Sequence, residues 1–232
     1  MLSKRETGVI DRKARILASA REIIARDGFE ALTTRGLAEA AGVTPPTLYN
    51  LVGDKTAIVS AMAMASIEEL WGRLHLDERD SPLAMADAIL EEAYKQLTKD
   101  IGFNRANLIA LERLGIAFAY HPTRDDPGAI AARRAVAMAQ YACEAAQRTG
   151  ELSGNIGAEE IGVQMFAVYR SALDDWLHDA IDTDEMLRRQ RIGFYTLLCA
   201  DASEEFHGKL IDRIAALAAP EPTEPKTMTE AA

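Results

Sequence analysis

At 232 residues and 48% apolar side chains, the chain is long enough for a small domain and a larger one and too hydrophobic for wholesale disorder. A formal net charge of −10 argues against a uniformly basic nucleic-acid binder, yet residues 1–60 carry nine Lys/Arg against seven Asp/Glu, a local +2 that leaves −12 on residues 61–232. Two cysteines without paired spacing, no run of about 20 apolar residues and no signal-peptide core exclude a disulfide scaffold and a membrane span, and they predict a cytoplasmic protein with buried free thiols.

In chain order, a flexible arm at 1–9 precedes an amphipathic helix over 10–27. Ile16, Ala20, Ile23 and Ile24 share one face of it, with Arg12, Lys13, Arg15 and Arg21 largely on the other. Gly28 ends it and Phe29 plugs the bundle. Thr33 or Thr34 can cap a short helix whose Leu37, Ala38 and Ala41 face inward, and Gly42 stops it. Thr44 caps the next helix, with Pro45 and Pro46 in a first turn that needs no amide protons. Leu48 points inward there, leaving Thr47, Tyr49 and Asn50 outside. Two short helices about one tight glycine turn are the layout of a helix-turn-helix. Asp54 then caps a long helix from Lys55 to Trp71 or beyond.

Residues 81–219 read as five further helices. Ser81-Pro82 and Asp126-Pro127 open two that run to about Ile101 and Thr149, with an apolar helix over 104–120 between them. A helix over 158–181 carries two apolar stripes, which demands burial from two directions. The last helix starts after Asp182-Thr183, with a bend near Asp201 or Ser203 before it ends by Ala219. Residues 220–232 cannot bury a core and are expected to be disordered. The fold class is all-α, with a helix-turn-helix domain at 10–54 and a larger helical domain at 55–219.

The helix-1 pattern R-I-L-A-S-A-R-E-I-I-A-R-D-G-F, the turn L-A-E-A-A-G-V, and P-T-L-Y followed six residues on by Lys55 resemble the DNA-binding domain of the TetR family of bacterial transcriptional regulators. The likeness is close over residues 11–60 and one of layout beyond them; it departs at Leu51 and Val52, so position 51 is assigned no phosphate contact, and at Pro45-Pro46, where the family often has Gly or another small residue before the Thr. The resemblance implies a regulator, in the repressing sense, that binds a near-palindromic double-stranded operator as a homodimer and is released by a small, partly hydrophobic effector. It implies that Arg35 reads guanine, that Pro45, Pro46 and Thr47 touch base edges or thymine methyls, and that Thr34, Tyr49 and Lys55 grip phosphates. Asn50 serves either purpose, and Thr44 stands at the same interface. The last two long helices would pair with their copies in a second subunit. The remaining helices would enclose the effector, for which Trp71, Tyr94, Phe103, Leu111, Phe118, Met138 and Tyr141 are the bulky candidates for the lining.

Catalysis finds little support. His75, His121, His178 and His207 are scattered, and neither a phosphate loop nor a nucleophile elbow occurs. Asp174 and His178 share a helical face suited to a metal, but solvated charges explain them equally, so no metal, cofactor or catalytic residue is assigned. The alternatives are an all-helical enzyme with a helix-turn-helix appendage and an adaptor that kept the fold without binding DNA.

Overall fold

A side chain able to accept the first free amide protons stands before almost every helix, and these caps divide the chain. The computed structural model describes residues 3–74, 81–116 and 118–219. Among them the chain forms α1 (Lys4–Asp27), α2 (Thr34–Ala40), α3 (Pro45–Leu51), α4 (Lys55–Arg73) and α5 (Pro82–Thr98), with one 3-10 turn at Phe29–Ala31. There follow α6 (Ile101–Arg113), α7 (Pro127–Thr149), α8 (Ala158–Leu177), α9 (Thr183–Cys199) and α10 (Glu204–Ala218). No strand occurs among the described residues beyond one isolated bridge between Leu152 and Ala202, so the fold is all-α. The segment 220–232, expected to be disordered, and His75 lie outside the described residues.

Several boundaries differ from the sequence reading, each for a local reason. α1 begins at Lys4 rather than residue 10, because Ser3 and Glu6 form a reciprocal capping box; most of the arm placed at 1–9 is therefore helical. The helix expected to reach Ile101 stops at Thr98, since Asp100 accepts the Phe103 amide at 3.2 Å and starts α6. α6 in turn ends at Arg113, not residue 120: Gly115 takes φ +68°, and the Ile116 amide donates back to the Leu111 carbonyl. α8 stops at Leu177 instead of 181, where Asp179, the one described non-glycine residue at positive φ, makes the same kind of turn. The expected bend near Asp201 is a full break. The Asp201 carboxylate accepts the amides of Gly154 and Asn155 at 2.8 and 3.1 Å, and Ser203 caps α10 as a separate helix.

Two cores result. Ile16 and Ile24 of α1, Leu37 of α2, Leu48 of α3 and Ile58 and Met62 of α4 pack together, joined by Phe103, Ala110 and Leu111 of α6. The helix-turn-helix thus rests on a helix of the larger domain. The Arg21 guanidinium fastens that joint, 4.3 Å above the Phe103 ring and 3.4 Å from Asp100. The second core joins α5, α7, α8, α9 and α10 through Leu90, Cys143, Met165, Tyr195 and Phe206. Burial at Cys143 pushes its thiol up to about 12, keeping it protonated.

α8 lies between α7 and α9. Phe166 packs with Ala132 and Val136 of α7, while Trp176 packs with Leu97 of α5 and Met186 of α9. Of the two apolar stripes, Ile161, Met165, Phe166, Ala172 and Trp176 are thus buried within one chain, while Val168, Tyr169, Leu173 and Leu177 stay partly exposed.

Candidate functional site

The first turn of α2 and all of α3 present the residues expected at DNA. Thr33, not Thr34, caps α2 by accepting the Gly36 amide at 3.1 Å, which leaves the Thr34 hydroxyl outward. Arg35 is exposed and, among the described residues, makes no hydrogen bond or ion pair. Gly42 at φ +62° turns the chain, with the Val43 amide donating to the Ala38 carbonyl at 2.9 Å. Thr44 accepts the Thr47 amide at 3.3 Å, and the two hydroxyls share a bond of 2.8 Å. Pro45, Pro46 and Asn50 are exposed beside them, and Tyr49 is 64% exposed, far beyond a packing role. The structure therefore gathers Thr34, Arg35 and Thr44 to Asn50 on neighbouring turns over a buried Leu37–Leu48 floor.

Two contacts escaped sequence reading. Arg15, assigned to the outer face of α1, donates Nε to the Ala41 carbonyl at 2.8 Å and so braces the turn from behind. Lys55 holds its ammonium 3.8 Å from the centre of the Phe29 ring, at the N-terminus of α4. Neither partner is close in sequence, so periodicity carries no trace of them.

The second feature is a cavity of about 410 Å³ bounded by α4, α5, α6, α7, α8 and α9 and by the segment after α6. Leu111, Phe118 and Met138 line it. Four of the expected lining residues do not. Trp71 points outward at 48% exposure, one position past Leu70, which faces the cavity. Phe103 is buried under Arg21. Tyr94 lies among α8 and α9 residues and donates its hydroxyl to Asp184 at 2.8 Å, and Tyr141 is turned away from the cavity. Bulk alone does not separate a lining residue from a core residue.

At the cavity edge, Glu112 of α6 joins the Asp174–His178 pair: the imidazole nitrogens stand 3.7 Å from each carboxylate. The His178 pKa is raised, first by its hydrogen bond to the Asp174 backbone and then by the carboxylates of Asp174 and Glu112. All three are exposed.

The structure thus sets a helix-turn-helix with an exposed α3 face on a helical domain that encloses a cavity. Residues 16–62 match the family model described as "Bacterial regulatory proteins, tetR family". Among solved structures, SmeT, the repressor of the Stenotrophomonas maltophilia multidrug efflux pump SmeDEF, is similar at 17% identity and TM-score 0.63, over 84% of this chain and 92% of that one. The fatty acid degradation regulator FadR from Bacillus halodurans is similar at 14% identity and TM-score 0.61, over 81% and 94%. TylP, a TetR regulator from Streptomyces fradiae, is similar at 14% identity and TM-score 0.59, over 90% and 96%. No curated relative matches the sequence. Residues 16–62 thus match the DNA-binding domain of TetR-family regulators, and the chain as a whole shares the fold of these solved structures.

Proposed function

We propose that the protein acts in the cytoplasm as a homodimeric repressor that occupies a near-palindromic operator and leaves it when a small, partly hydrophobic effector fills the cavity. The observation that carries this reading is the unpartnered Arg35 beside the exposed first turn of α3, a polar group with no work inside the fold. In this reading Arg35 reads a guanine, Pro45, Pro46 and Thr47 meet base edges, and Thr34, Tyr49 and Lys55 hold phosphates. Thr44 and Asn50 complete the surface. The modest local charge on residues 1–60 favours a moderate salt dependence.

Release requires that the effector favour one conformation over another. α4 supports such coupling because Lys55 stands at its DNA-facing end while Ala63, Ile67 and Leu70 line the cavity. Leu111 supports it too, belonging both to the cavity wall and to the core beneath the helix-turn-helix.

The test is titration of the protein against fragments of its own upstream region, with competitor DNA, at fixed salt. One short inverted repeat should be retained selectively. Arg35→Ala should lose roughly 5- to 150-fold in discrimination at one base position per half-site, the worth of one bidentate contact. Unchanged discrimination in that variant would sink the assigned reading mode.

A further inference from the structure

Two side-chain amide oxygens in the cavity wall, on Asn104 and Asn107 of α6, accept no hydrogen bond among the described residues. Asn104 spends both protons of its amide on the carbonyls of Gln96 and Leu97, at 3.0 and 2.8 Å, which fixes its orientation and leaves Oδ1 as a free acceptor. The Gln96 amide donates to Glu69 at 2.9 Å. Arg170, the one guanidinium in the wall among the described residues, donates to the Phe118 carbonyl. Among the acceptors, Gln96 Oε1 is held by Arg73 at 2.9 Å and Glu112 and Asp174 flank the His178 imidazole at 3.7 Å, while the Asn104 and Asn107 oxygens are open.

Asn107 is the buried one of the two. It lines the cavity, it is 5% exposed, and its buried Oδ1 has no hydrogen-bond partner. Such an orphan costs the fold the desolvation of that atom unless a ligand supplies a donor. Asn104, Asn107 and Glu112 follow one another along the cavity-facing side of α6, over about 12 Å at 1.5 Å per residue. Asp174 faces them from α8. Around this track the wall is apolar, with Ile67, Leu70, Leu111 and Phe166.

We propose that the cavity takes an apolar amine in its protonated form, the ammonium held by the acceptor row of α6 and by Asp174 while the hydrocarbon fills the rest. The assignment rests on the cavity being the effector site. An ammonium brings three donors and one positive charge to a wall with the open amide oxygens of Asn104 and Asn107, the latter buried, and two carboxylates that share His178. A carboxylate ligand brings only acceptors, and would meet Glu112 and Asp174 with like charge.

The test is calorimetric titration of the full chain with decylammonium, decanol and decanoate, all below their micelle concentrations, at one pH and salt. Decylammonium should bind about tenfold tighter than decanol, and decanoate weakest. Glu112→Gln combined with Asp174→Asn removes two exposed charges without emptying the core; it should cancel most of that preference, decylammonium falling to within a few-fold of decanol. Decanol or decanoate binding as tightly as decylammonium would overturn the amine assignment and leave the effector-site reading standing. If none of the three binds, the effector-site reading falls and the amine assignment with it.

Discussion

Gly193 shows how little room some positions have. A Cβ built there would stand 2.3 Å from Val168 Cγ1 on α8, and one on Gly162 would stand 3.1 Å from the Val136 carbonyl of α7. Gly193→Ala should cost about 1–3 kcal/mol through forced separation of the helices, read as a lower urea midpoint with unchanged slope. An unaltered midpoint would show that the contact is slack. Glu185 offers a second residue-scale expectation. Its hydrogen bonds to Arg188 and then Arg189 hold its carboxyl at about 2 instead of the ordinary 4.5, with the side chain 28% exposed. A depressed pKa adds stability that is full above about 4.5 and fades as pH falls toward about 2. Glu185→Gln should therefore lose less melting temperature than the parent between pH 7 and pH 3; equal losses would place the acid sensitivity elsewhere.

At the scale of elements, the α2–α3 pair depends on α1 for more than a hydrophobic floor. Arg15→Ala removes the 2.8 Å bond to the Ala41 carbonyl and should cost about 1–2 kcal/mol locally. Hydrogen exchange checks this: the Gly42 and Val43 amides should exchange faster while those of α8 keep their rates, whereas uniform acceleration would indicate global loosening instead. Half of the helix starts were legible because caps are local, as Thr44, Asp54, Ser81, Asp126 and Asp182 show, while the caps Ser3, Asp100 and Ser203 were passed over. Ends were less so. Gly115 and Asp179 terminate helices by adopting positive φ, and apolar residues beyond them, such as Phe118 and Ile181, continue the helical pattern past the true stop. The helix-turn-helix could be read because its caps and its glycine turn are near neighbours in sequence. The cavity could not, since Asn107, Glu112 and Asp174 are brought together only by the packing of α6 against α8.

For the whole molecule, the proposed dimer has a geometric expectation. Two recognition surfaces reading the same face of B-DNA stand about 34 Å apart or a multiple of it, so footprinting should show two protected half-sites at helical-turn spacing. Sedimentation should return twice the 25.3 kDa chain mass. A monomer protecting one half-site would remove the homodimer from the proposal. The −12 on residues 61–232 need not oppose binding, because charges more than about 8 Å from the phosphates are largely screened at physiological salt.

The two glycine contacts flanking α8 carry a mechanical consequence. With Gly162 of α8 seated on the α7 backbone and Gly193 of α9 seated on Val168, helices α7, α8 and α9 have no slack in which to slide past one another. They form an anvil. In the proposed effector response, a ligand pressing on that wall would pass its displacement to α4 and α6, the two helices that also carry the floor of the helix-turn-helix.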